Sequence, residues 1–195
     1  MSTTYADSSK CTSGARRGFT TKELVLGGMF AALLAAISQI SLPMPTGMPI
    51  TVQVFGVALI GVALGWRLGL LAAVTYVLIG AVGLPVFANF RGGMGSLVGL
   101  TGGYIWSWPI MAALSGIRPK TGNPRLNTLL TVAFALLGLA IAETIGCLQW
   151  AALSGDMSVG AVFTYAMVAF IPKDIILTIL AVFAGIPLRK MLFKI

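Results

Sequence analysis

The chain has no histidine, two cysteines and few charges. The missing histidine removes the commonest general base and the usual nitrogen ligand of zinc or haem iron. Cys11 lies in a polar stretch and Cys147 in an apolar one, so neither a metal cluster nor a disulfide is expected and both thiols read as inert. Only 9% of the 195 residues are charged while 57% are hydrophobic, against about a quarter charged in a soluble domain. Water is therefore not the main solvent of this chain.

What is present is a series of long apolar runs. A hydrocarbon core takes roughly 20 residues to cross as a helix, which leaves room for about six spans and short loops. The expected fold is all-α, an integral membrane bundle of six transmembrane helices at about 22–42, 50–65, 68–83, 102–117, 127–151 and 172–188. Residues 1–20 read as a disordered cytoplasmic N-terminal tail and 21–195 as one membrane domain. The first apolar run is too long for a signal-peptide core and several more follow it. The second, third and sixth helices are short for full spans and need dipping loops or local thinning. The apolar stretch 157–171 reads as a membrane-embedded approach to the last helix, which Pro172 starts at no hydrogen-bonding loss.

The net charge of +8 does not point to nucleic acid, because the basic residues flank apolar runs instead of clustering with aromatics. In the six-span arrangement Lys10, Arg16, Arg17, Lys22, Arg67, Arg118, Lys120, Arg125, Arg189, Lys190 and Lys194 share one side, and only Arg91 and Lys173 fall on the other. The positive-inside rule then places both termini in the cytoplasm.

Polar groups gather at the opposite, outer helix ends. Thr51 and Gln53 open the second helix, Asn89 and Arg91 follow the third, Tyr104 opens the fourth, and Lys173 and Asp174 begin the sixth. An ionisable group at membrane depth reads first as functional. Singly, each could equally cap a helix end, and Asp174 beside Pro172 would be favoured by the helix dipole alone. Delivered jointly by four segments, they suit a neutral hydrogen-bonding head group, with Arg91 available for an anionic tail. Phe55, Phe87, Phe90 and Trp106 could line the apolar part of such a pocket, or face lipid.

An intramembrane enzyme fits poorly. No histidine accompanies a serine, Lys173 has no evident serine partner, and the two membrane carboxylates fall at different depths, Glu143 near mid-helix and Asp174 near the outer end. Glu143 could instead hydrogen-bond within the bundle. The run Gly92–Gly99 lacks the lysine of a phosphate loop, so no nucleotide, cofactor or metal site is expected. Uptake driven by ATP would need partner subunits, and a secondary transporter of another small solute would show repeats and coupling-ion sites, which the sequence does not.

The strings Pro49-Ile-Thr-Val-Gln-Val-Phe55-Gly56, Gly83-Leu-Pro-Val-Phe87, Arg91-Gly-Gly-Met-Gly95 and Thr101-Gly-Gly-Tyr104, in that order and spacing, resemble the BioY family of biotin-binding S components of energy-coupling factor transporters. The resemblance runs from about residue 22 to the C-terminus. It implies a non-enzymatic subunit of a prokaryotic cell membrane that binds biotin near the outer face. Its implied partners are a transmembrane coupling protein and two ATPases. Carried over, it makes Asn89 and Asp174 partners of the biotin head and puts Thr51, Gln53 and Tyr104 in or near the pocket. Such proteins commonly carry Lys three positions after the aspartate; here Leu177 stands there, leaving Lys173 and Arg91 to supply the positive charge. The small residues Ala31, Ala32, Ala35 and Ala36 on the first helix permit close helix approach in lipid, and the resemblance makes them a docking face for the coupling protein. The uncharged link from Pro43 to Pro49 is expected to close over bound ligand.

Overall fold

A computed structural model of the chain describes residues 19–42, 44, 48–155 and 158–193. The expectations for residues 1–18, for Cys11 and for Lys194 lie outside the described residues, as does most of the 43–49 link.

Helix α1 (Thr21–Ser38) opens with a reciprocal cap: Thr20 Oγ1 accepts from the Glu23 amide, and the Thr20 amide donates to Glu23 Oε2 at 2.8 Å. Such a box satisfies two otherwise orphaned amides of the first turn. The helix ends several residues earlier than its apolar run. Ser38 and Gln39 turn their side chains onto the backbone of residues 86 and 87, and the chain leaves the helix as a strand. Strands β1 (Ser41–Leu42) and β2 (Ile50–Thr51) form a small antiparallel hairpin, with Ser41 opposite Thr51 and Leu42 opposite Ile50.

Helices α2 (Gln53–Leu64) and α3 (Trp66–Val82) are separated by Gly65 alone, whose φ of 87° is open to glycine at little strain. A short helix α4 (Met94–Val98) precedes α5 (Gly102–Ser115), and α6 (Pro124–Leu153) begins on an Asn123 cap with Pro124 in its first turn. The approach segment is itself helical, α7 (Val159–Ala169), and α8 (Ile171–Phe193) carries Pro172 at its start.

Three helices, α1, α6 and α8, are long and apolar enough to cross a membrane. The shorter α2 sits inside. Every residue of α2 except Phe55 is buried, so its roughly 18 Å length, at 1.5 Å per residue, has no bilayer to match; its neighbours α1, α3, α5 and α8 surround it. Around the outside, Met29 and Leu33 of α1, Leu129 and Leu137 of α6, and Ile176, Leu180 and Phe183 of α8 are exposed. An apolar surface of that extent suits lipid and not water. The molecule is a multi-pass membrane protein.

Candidate ligand cavity

Three features converge at the end of the bundle where α2, α5 and α8 begin. Asp174 lies in the first turn of α8 at 3% exposure. The neighbouring Lys173 turns its Nζ back, donating to the Thr51 backbone carbonyl at 2.8 Å and pairing with Asp174 Oδ1. The hairpin is thereby tied to α8. Gln53, also at 3% exposure, donates to the Tyr76 hydroxyl at 3.1 Å, which in turn donates to the Val86 carbonyl at 2.7 Å. Helices α2 and α3 and the following loop are joined by that chain.

The 84–93 loop folds back over this end. Phe87 donates its amide to the Arg91 carbonyl at 2.9 Å, and between them Asn89 and Phe90 both adopt left-handed backbone, φ 58° and 55°. Two consecutive non-glycine residues there are costly unless the surroundings hold them. Gln39 supplies that hold, its Oε1 accepting from the Phe90 amide at 2.9 Å while its Nε2 donates to the Phe87 carbonyl at 3.2 Å. The tip of the Phe87 ring abuts α3 at Gly80: a Cβ there would stand 2.1 Å from Cζ.

These elements line a concave, mostly apolar cavity that is partly open to the surface, the general character of small-molecule sites. Its polar lining includes Thr51, Gln53, Arg91, Tyr104, Glu143, Lys173 and Asp174, and its apolar lining includes Phe87, Ile105, Trp108 and Phe170. Tyr104 reaches it because Gly146 of α6 leaves room for its ring. A Cβ on Gly146 would fall 2.4 Å from the Tyr104 ring, and the Tyr104 hydroxyl lies 3.5 Å from Cys147 Sγ. The charges balance in number, two cations against two carboxyl groups. Such a lining can hold a compact solute whose head offers both donors and acceptors and whose body is apolar.

Of the residues singled out from sequence, the structure brings together Thr51, Gln53, Arg91, Tyr104, Lys173 and Asp174, with Phe87. It does not bring Asn89 to the cavity. The Asn89 carboxamide oxygen instead accepts from Ser41 Oγ at 2.8 Å, because left-handed backbone at 89 swings the side chain to the hairpin while Ala88 and Arg91 face inward. Phe55 packs half-buried against the bundle core, Phe90 is 71% exposed, and Trp106 turns outward with its Nε1 donating to the Leu97 carbonyl. Among the lining residues not picked out for the pocket are Trp108 and Glu143. Trp108 reads in sequence as one more apolar residue of α5. Glu143 reads as a mid-helix carboxyl, and only the depth of the cavity makes it a wall residue.

The family model described as BioY family matches residues 8–194. The chain belongs to the BioY family. A probable biotin transporter BioY of Pyrococcus horikoshii is 37% identical over 80% of this chain and 88% of its own length. The biotin transporter BioY of Thermotoga maritima is 34% identical over 87% of this chain and 97% of its own. Among solved structures, the S component for biotin from an ECF-type ABC transporter superposes with a TM-score of 0.76 at 25% identity, covering 89% of this chain and 95% of that one. Within this BioY chain, Leu177 is half-buried and outside the cavity lining. The ammonium group beside Asp174 comes from the preceding residue, Lys173.

Proposed function

We propose that this chain is the biotin-binding subunit of a vitamin uptake transporter, taking biotin into the cavity from the outer side and passing it inward with an ATP-driven coupling module. The observation that carries the reading is the convergence of buried Asp174 and Gln53 and half-buried Tyr104 with Trp108 and Phe87 in one cavity. A cyclic urea offers a carbonyl and two N–H groups to such a set, and the apolar ring fused to it suits the aromatic walls. A site built to hydrogen-bond a buried head discriminates strongly against molecules lacking it, since its own polar groups would be left unpaired. The relatives are transporters, and the reading is binding and transport, not catalysis.

The six spans are α1, α2, α3, α5, α6 and α8, with both termini cytoplasmic. Arg67, Arg118, Lys120, Arg125, Arg189 and Lys190 lie away from the cavity end, which supports an outward-facing cavity by the positive-inside rule. The head of biotin meets Asp174 and Tyr104, and its carboxylate meets Arg91 at the mouth or the Lys173 ammonium. Asn89, on the rim between the lining residues Ala88 and Arg91, takes part by turning its carboxamide inward from Ser41. On α1 the alanines divide: Ala31 and Ala35 pack inward, whereas Ala32 and Ala36 are exposed in line with Gly28. That outward small-residue row is the docking face for a transmembrane coupling protein, which carries two ATPases.

Labelled biotin uptake by cells making the chain with and without an energy-coupling module tests the reading. Uptake that needs the module and ATP, and that desthiobiotin but not riboflavin suppresses, is expected. Uptake driven by an ion gradient without ATPases would instead favour a secondary transporter.

A further inference from the structure

Helix α6 brings a carboxyl group into the cavity that the fold itself does not use. Glu143 is 6% exposed, lines the cavity, and its Oε2 is buried with no hydrogen-bond partner among the described residues. The other two acids among the described residues are engaged, Glu23 in the α1 cap and Asp174 on Lys173. Tyr104, Asp174 and Lys173 face Glu143, but none of them donates to Oε2: Lys173 Nζ lies at Thr51 and Asp174, and the Tyr104 hydroxyl is also in contact with Cys147 Sγ. The Gln53 amide is likewise given to Tyr76. An orphaned carboxyl oxygen in an apolar interior is a large penalty, and a native structure tolerates it where a ligand or ion completes it.

We propose that Glu143 is a specificity-determining ligand contact: its free oxygen accepts an N–H of the ligand's head group, across the cavity from Asp174, so that the site selects heads with N–H donors on two sides. The inference rests on the biotin reading above and extends it. A cyclic urea satisfies both carboxyl groups at once, and a cyclic guanidinium satisfies them with charge as well. Heads that present a donor on one side only leave one acid unpaired.

The test uses the purified full chain, with 2-iminobiotin, in which a guanidinium replaces the urea, competing against labelled biotin. Glu143→Gln keeps the shape and one acceptor while removing the charge. We expect it to weaken biotin about tenfold or more, the scale of a hydrogen bond to a charged group, and to weaken 2-iminobiotin by a clearly larger factor. Its ligand-free melting temperature should stay level or rise, since an unpaired carboxyl is gone; a purely structural role would instead lower it and leave the ranking of the two ligands unchanged. Glu143→Ala should give the same loss of preference, and serves if the glutamine variant does not fold. Variants that bind both ligands as the parent does would overturn the inference while leaving biotin binding intact. A parent chain that binds no biotin would overturn the biotin reading, and this inference with it.

Discussion

Replacing Lys173 by Met would strip a buried carboxylate and a strand carbonyl of the same donor. Lys173 Nζ serves both the Thr51 carbonyl, at 2.8 Å, and Asp174, and the aspartate side chain is 4% exposed against 27% for the lysine. Removing one partner of a fully buried pair is worth about 3–5 kcal/mol. Because the lysine is partly wetted, water can replace some of its contacts, and we take about 2 kcal/mol as the expected loss, below the fully buried range. At about 2–4 °C per kcal/mol for a chain of this size, Lys173→Met should melt roughly 4–8 °C below the parent in the same detergent. Asp174→Asn added to Lys173→Met should recover most of that loss, since the neutral amide does not need the ammonium. The double-mutant cycle should therefore show a coupling of about 1–3 kcal/mol, the range for residues in contact. Thermal unfolding of the purified proteins, followed by tryptophan emission, reads all four corners. Additive shifts, or a Lys173→Met protein that melts with the parent, would refute the pairing and the argument that Lys173 ties the hairpin to α8.

Gly146→Ala places a methyl against the Tyr104 ring; overpacking of this kind costs about 1–3 kcal/mol, and displacing Tyr104 should weaken biotin binding as well, as a binding titration would show. Ala32→Trp on the outward face of α1 should leave biotin binding by the isolated chain unchanged and abolish module-dependent uptake. Single-cysteine labelling tests the orientation: Phe90→Cys should react with a membrane-impermeant maleimide on intact cells, while Lys120→Cys should react only after permeabilisation.

The apolar helices were legible because lipid imposes a one-dimensional pattern: a run is apolar long enough to be a helix, or it is not. Pro172 marked a boundary for a local reason, and α8 begins one residue before it. The end of α1 was not legible. Its apolar run continues past Ser38, and only the tertiary hydrogen bonds of Ser38 and Gln39 to residues 86 and 87 stop it. The hairpin escaped for the same reason, since two-residue strands have no periodicity to read. Approach segment 157–171 was recognisable as apolar, yet its helical state depends on packing against α6 and α8.

In the cavity, Asp174 and Lys173 could be read from sequence because charge at membrane depth is rare. Gln53 and Tyr104 followed from their places at helix starts. Glu143 carried the same signal of an ionisable group in lipid, but sequence alone gives its height along α6 and not the depth to which a cavity descends. Asn89 illustrates the converse: its position beside Ala88 and Arg91 is at the rim, while its side-chain direction is set by a left-handed φ that Gln39 sustains. For Leu177 the local sequence shows only a missing cation. The structure shows an ammonium group at Asp174 from the residue before it.

The central claim is tested most directly by calorimetric titration of biotin into the purified, detergent-solubilised chain, alongside its Asp174→Asn variant. Saturable binding of one biotin per chain by the parent, displaced by desthiobiotin and not by riboflavin and weakened about tenfold or more in the variant, is the result the cavity geometry requires. No biotin binding by a parent sample shown to be folded would contradict the account, and equal binding by the variant would move the site away from Asp174.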